Sequence, residues 1–183
     1  MIRIIGIGNR MHGDDGLGPC LAYALRKCSA RVEGVDIVPL DLPNHGDIAL
    51  LEEPDIIVFV DASPEQGVRV YRLEPSRLSS LETVRLAQAG SGHAITPVTL
   101  VALASAAGLI EGKEVYLLTI GPLEPGFGTG LSPEAVELGV EAVRRLVGLL
   151  TGKGVEMRVD EGCIHSVLSG ACSDPLTPLD EIS

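Results

Sequence analysis

At 183 residues, 45% of them hydrophobic and 21% charged, the chain is long enough for one domain with a sizeable core, and its composition is neither collagen-like, disordered nor repetitive. Fourteen basic against 25 acidic side chains leave a formal charge of −11, which opposes an encounter with a phosphate backbone. With 3% aromatic residues and no Trp there is also little from which to build a base-stacking platform, so no nucleic-acid partner is expected.

The opening sixteen residues contain Gly13-Asp-Asp-Gly16 and no long apolar run, so the expectation is a cytoplasmic protein without a membrane anchor. Cys20, Cys28, Cys163 and Cys172 are too few for a disulfide scaffold and form no C-x-x-C pair, so reduced thiols are expected.

Residues 2–7 read as a buried strand running into Gly6-Ile-Gly-Asn9. Leu17, Cys20, Leu21, Ala24, Leu25 and Cys28 then recur at steps of three and four, which predicts a helix with both cysteines in its core face. A second strand is predicted at 35–40, placed at an edge by Pro39, and a short helix from Asp47 that Pro54 ends. Between Asp55 and Asp61 five consecutive apolar residues mark a fully buried central strand, and the alternation at 68–73 marks an edge strand. Thr96-Pro97 and Ser132-Pro133 each place a capping hydroxyl before a proline at the first helical position, which predicts helices running to Gly108 and to Leu150. A buried strand at 115–120 lies between them. Beyond 150 one further strand at 155–159 is expected, followed by a tail left without assigned structure. The alternation of strands and helices predicts an α/β fold, with a parallel or mixed sheet covered on both faces.

Strand, Gly-x-Gly and helix suggest a dinucleotide site, but the fingerprint fails at Met11 where a third glycine is required. Asp14-Asp15 would moreover repel a pyrophosphate at that helix start. Asp14 is read as the helix N-cap, which leaves Asp15 as a spare carboxylate. Asp61 closes an apolar strand, where α/β sheets gather their ligands, although an Asx-turn with Ser63 is an equal reading. His12, His45 and His93 are each read, taken singly, as loop residues. Taken together, Asp15, Asp61 and His93 fall where a parallel sheet collects its loops, and two oxygens with one nitrogen make a sparse set for a divalent ion with positions left open. No H-E-x-x-H, G-x-S-x-G or C-x-x-C motif is present.

Gly6-Ile-Gly-Asn9 with Gly13-Asp-Asp-Gly-Leu-Gly18, Val58-Phe-Val-Asp61-Ala62, Ser91-Gly-His93, and Gly121-Pro through Gly128 to Gly130-Leu-Ser-Pro-Glu134 form an ordered series over residues 1–150. In this series the chain resembles the NiFe-hydrogenase maturation endopeptidases. The resemblance implies a twisted, mostly parallel sheet of about five strands with helices on both faces, phosphorylase/hydrolase-like, as a single α/β peptidase domain over 1–150. Residues 151–183 then form a C-terminal extension. It implies a metal-dependent, aspartate-using endopeptidase that removes the C-terminal extension of the hydrogenase large-subunit precursor after nickel insertion. Asp15, Asp61 and His93 would be both its catalytic and its metal-contacting residues, with the nickel supplied by the precursor and the free protein a monomer.

Two other functions are compatible with the pattern. One is a non-catalytic nickel-binding maturation chaperone on the same scaffold, and the other a hydrolase of small molecules or peptidyl-tRNA, which needs a basic rim that the −11 charge opposes. Cys163-Ile-His165 and Cys172 raise a second metal site or nickel handover, against a flexible tail with incidental residues; the spacing matches no standard zinc pattern.

Overall fold

The computed structural model describes residues 1–78, 95–121, 126–128, 130–170, 172, 174 and 179. The apolar runs become β1 (Ile2–Gly8), β3 (Ile56–Ala62) and β5 (Glu114–Gly121), joined by β2 (Val35–Asp41) and β4 (Gly67–Leu73). They form one five-stranded sheet in the order β2-β1-β3-β5-β4. The first four strands in that order are parallel, and β4 runs antiparallel to β5 at the edge. The expected α/β class, with a mostly parallel sheet of about five strands, is therefore what the chain adopts. Pro39 does sit on an edge strand, opposite Gly6. There its missing N–H removes no bond that the sheet interior needs.

Because successive side chains alternate across the sheet, one core divides into two. Ile4, Val58, Val60 and Leu118 face α1 (Leu17–Cys28), α4 (Pro133–Gly152) and α5 (Glu161–Ser169). Ile5, Ile7, Ile57 and Phe59 face α3 (Pro97–Ala106) and the 3-10 turn His45–Leu51. A short helix, α2 (Pro75–Leu78), packs on α3.

The Thr-Pro and Ser-Pro starts behave as read. Thr96 Oγ1 accepts from Thr99 N at 3.2 Å, and Ser132 Oγ accepts from Ala135 N at 3.1 Å. The expected helix from Asp47 is instead a 3-10 turn that begins two residues earlier, because Asn44 and Asp47 form a reciprocal capping box.

Several expectations are corrected. Asp14 does not cap α1, whose N-cap is Gly16 and which has no side-chain cap. Its buried carboxylate accepts instead from Ser132 N at 2.7 Å and from Ser132 Oγ at 2.8 Å, tying the start of α4 to the start of α1. At 155–159 there is no strand, only an antiparallel bridge between Ser29 and Val159. Residues 161–169 form α5, capped by Asp160, and bury Ile164 and Leu168. The cysteines are not free thiols: Cys20 is bonded to Cys172 and Cys28 to Cys163. Non-local packing defeats the spacing argument here, because α5 brings two cysteines of the extension onto α1 across more than 130 residues of chain.

Candidate active site

In the order β2-β1-β3, the strand that follows β1 lies on one side of it and the next lies on the other, so a crevice opens beyond the carboxyl ends of β1 and β3. Gly6 pairs with Val60, so β1 ends in Gly8 beside the end of β3, where Asp61 stands. The N-terminal turns leading into α1 lie over these ends, and their approach requires glycine. A Cβ on Gly6 would stand 2.0 Å from Gly18 O, one on Gly8 2.0 Å from Asp15 O, and one on Gly18 2.1 Å from Ile7 O and 2.6 Å from Val60 O. The G-x-G and D-D-G-x-G glycines thus let two backbones touch, and that contact carries Asp15 to the mouth of β3.

Asp15 lies in the 3-10 turn Asp14–Gly16, where its carbonyl accepts from Asn9 N at 3.1 Å. Its carboxyl group is held above the usual aspartate value by burial, an effect opposed by the nearby His12 and by the Asn9 N–H and reinforced by Asp41. Asp61 keeps a part of its surface at the opening, yet protein surrounds it closely enough to push its pKa up to about 7. Burial is the first cause and the charge of Asp15 the second, with the Ala62 N–H pulling the other way. Burial and the neighbouring charge of Asp15 together leave Asp61 far readier than an ordinary aspartate to hold a proton near neutral pH.

The Asx-turn reading of Asp61 with Ser63 is not what the chain adopts, since Ser63 N donates to Ile120 O at 2.8 Å. His93 lies outside the described residues, as do the residues around it, 79–94. Among the described residues no group of three His, Cys, Asp or Glu side chains is arranged to hold a metal ion. A second metal site at Cys163, His165 and Cys172 is not what the chain adopts: both thiols are bonded in the two cystines, and His165 lies 3.3 Å from Glu137 on the surface.

The structure adds neighbours that the sequence does not single out. Asp41 ends β2 and accepts from Arg10 N at 3.0 Å, which fixes the turn Arg10–His12 next to Asp15. His12 packs at 5.8 Å against Phe127, an exposed aromatic ring, and Gly128 N donates to Met11 O at 2.9 Å. Thr119 pairs in register with Asp61, and among the described residues its buried hydroxyl has no hydrogen-bond partner. A buried hydroxyl left in that state beside a carboxyl pair is suited to a ligand or a water. No residue spacing could have flagged Thr119, which reads as one more β-forming residue of an apolar strand. A hollow lined by Arg26, Asp36 and Met157 lies along β2 and the end of α1 rather than at the strand ends, and it contains none of these carboxylates.

Solved structures share this α/β architecture. The chain superimposes on the hydrogenase maturating endopeptidase HybD from E. coli with a TM-score of 0.66 at 18% identity, over 88% of this chain and 98% of that one. It matches the NiFe hydrogenase maturation protease HycI from Thermococcus kodakarensis with a TM-score of 0.61 at 24% identity, over 82% and 92% of the two chains. For the hydrogenase 2 maturation peptidase from a Thaumarchaeota archaeon the TM-score is 0.55 at 26% identity, over 81% and 97%. No protein-family model matches the chain, and no curated protein matches it in sequence. The fold is that of the hydrogenase maturation proteases.

Proposed function

We propose that the protein is a hydrogenase maturation endopeptidase, which hydrolyses a peptide bond near the C-terminus of the NiFe-hydrogenase large-subunit precursor once nickel is in place. The observation that carries this reading is the carboxyl pair. On the fold shared with the maturation proteases, Asp15 and Asp61 stand close enough at the switch point for the charge of one to raise the pKa of the other. The proposed site is Asp15, Asp61 and His93, and the nickel is part of the substrate. Two oxygens and one nitrogen are too few to hold a divalent ion tightly alone, but they complete the coordination of one already held by precursor thiolates.

In the free protein Asp61 holds a proton more readily than an ordinary aspartate. A cation presented by the precursor displaces that proton, and the carboxylate so freed takes a proton from water as the water oxygen attacks the scissile carbonyl carbon. The same proton passes to the leaving nitrogen as the C–N bond breaks. The precursor is the partner in this reading, no membrane is involved, the free protein is a monomer and the compartment is the cytoplasm. Among the described residues no helix is long and apolar enough to cross a membrane.

The test is to incubate the protein with nickel-loaded precursor and weigh the products. One cut that releases a C-terminal peptide is expected, and Asp15→Asn, Asp61→Asn and His93→Ala should each slow it by roughly 10²-fold or more. A precursor that is bound but keeps its full mass would establish the chaperone instead. Full cleavage by Asp15→Asn would remove that residue from the mechanism.

A further inference from the structure

The C-terminal extension is held against α1 and α4 by contacts that do not involve sulfur. Asp160 N donates to Cys28 O at 2.9 Å, Ala30 N donates to Arg158 O at 3.2 Å, and the Arg144 guanidinium forks onto the Glu161 carboxylate at 2.9 and 2.7 Å. Ile164 and Leu168 of α5 are buried in the same core as Leu17 and Leu21. These contacts bring Cys28 and Cys163 to a Cα separation of 5.6 Å, and Cys20 and Cys172 to 6.0 Å, both within bonding range. The pairs differ in access: Cys163 is partly open to solvent, whereas Cys20 and Cys172 are 1% and 3% exposed. The inner pair also lies on a route to the crevice. Two residues beyond Cys172, the carbonyl of Asp174 accepts from Arg10 Nη2 at 2.7 Å; Arg10 is buried, and its backbone N–H is the one that Asp41 fixes beside Asp15.

We propose that these four cysteines are a site of oxidative modification, an outer and an inner latch, and that the inner one positions the 9–16 turn through Asp174 and Arg10. Each latch closes by exchange with a disulfide of a small-molecule or protein donor. One cysteine thiolate attacks the donor, a mixed disulfide forms and a donor thiol leaves; the second cysteine thiolate then attacks the mixed disulfide and expels the second donor thiol. Two protein thiols are oxidised, one donor disulfide is reduced, and the two protons pass to the departing donor sulfurs. In a reducing cytoplasm such cystines form only when a donor is supplied, so their presence reports on the redox setting in which the protein works. The outer latch exchanges first because it is the one that solvent reaches.

Alkylation of the denatured protein after treatment with oxidised glutathione, read by mass, should find no free thiol. Four alkylated cysteines would overturn the proposal. Under graded dithiothreitol, Cys28 and Cys163 should become alkylated at least tenfold faster than Cys20 and Cys172, and the reverse order overturns the assignment of outer and inner latch. Hydrogen exchange tests the route to the crevice at the amides of Asn9, Arg10, His12 and Gly16, all bonded in the structure. Cys20→Ser with Cys172→Ser should speed their exchange at least fivefold while β3 and β5 stay protected, and Cys28→Ser with Cys163→Ser should leave them unchanged. Should the inner variant fail to fold, the wild type fully reduced by a phosphine is read at the same amides; exchange there equal to that of the oxidised protein overturns the coupling. None of these readouts uses hydrogenase precursor, so they are independent of the peptidase reading.

Discussion

Asp61 is folded against the preference of its own ionised form. Below the unfolded value near 3.8 both states hold the proton and the group contributes nothing to stability. Between that value and about 7 the unfolded chain gives up its proton while the folded one keeps it, so stability falls as pH rises through this window and levels off above it. Asp61→Asn removes the penalty. In thermal unfolding at pH 8 the variant should be more stable than the wild type by roughly 1–3 kcal/mol, with the difference closing by pH 4, while cleavage of precursor is lost. An equal gain at both pH values would show that the group is not held protonated. Asp14, next to Asp15 in the chain, has a structural place instead, since its buried carboxylate receives two hydrogen bonds from Ser132. Asp14→Ala leaves those donors unpaired and should cost about 2–4 kcal/mol in urea unfolding, against about 1–2 kcal/mol for Ser132→Ala. The double variant should cost clearly less than the sum.

Among the elements, α1 governs the crevice because it leans on β1 and β3 without intervening side chains. Gly18→Ala would drive a methyl group into Ile7 O and Val60 O, which cannot give way without moving two strands. It should cost about 3 kcal/mol or more in urea unfolding. Gly148→Ala, in α4 with nothing within 4 Å of the added carbon, should gain about 0.5–1 kcal/mol in the same measurement. This contrast also shows what the sequence reveals. Local signals name local structure well: the five apolar strands, the Thr96 and Ser132 caps and the edge placement of β2 and β4 all follow from runs of a few residues. The partners of Asp14, Cys20 and Cys28 do not, because each lies more than 110 residues away and nothing in its own neighbourhood encodes it. Asp15 and Asp61 were legible as carboxylates at element ends, but the influence of Asp15 on Asp61 depends on a glycine contact that only the packed fold displays. His93 lies outside the described residues.

For the whole molecule, the extension closes one side of the core. A Cβ on Gly139 of α4 would stand 2.7 Å from Leu168 Cδ1, so α5 packs closely on α4. A chain ending at Gly154 should therefore lose cooperative unfolding, read by calorimetry, rather than survive as an independent 1–150 unit. Cross-links spanning 152 and 135 residues each restrict the unfolded chain by about 4–5 kcal/mol on the chain-entropy account, so reduction alone should lower the melting temperature by roughly 10 °C or more. Cys20 lies in the first turn of α1 and Cys28 is its last residue, about 12 Å along the axis. A rod bolted at both ends can neither slide nor roll, so piston or screw motions of this helix are denied to the molecule. Whatever adjustment docking demands must then come from the loops around the crevice or from the incoming chain, which meets a rigid anvil rather than a closing jaw.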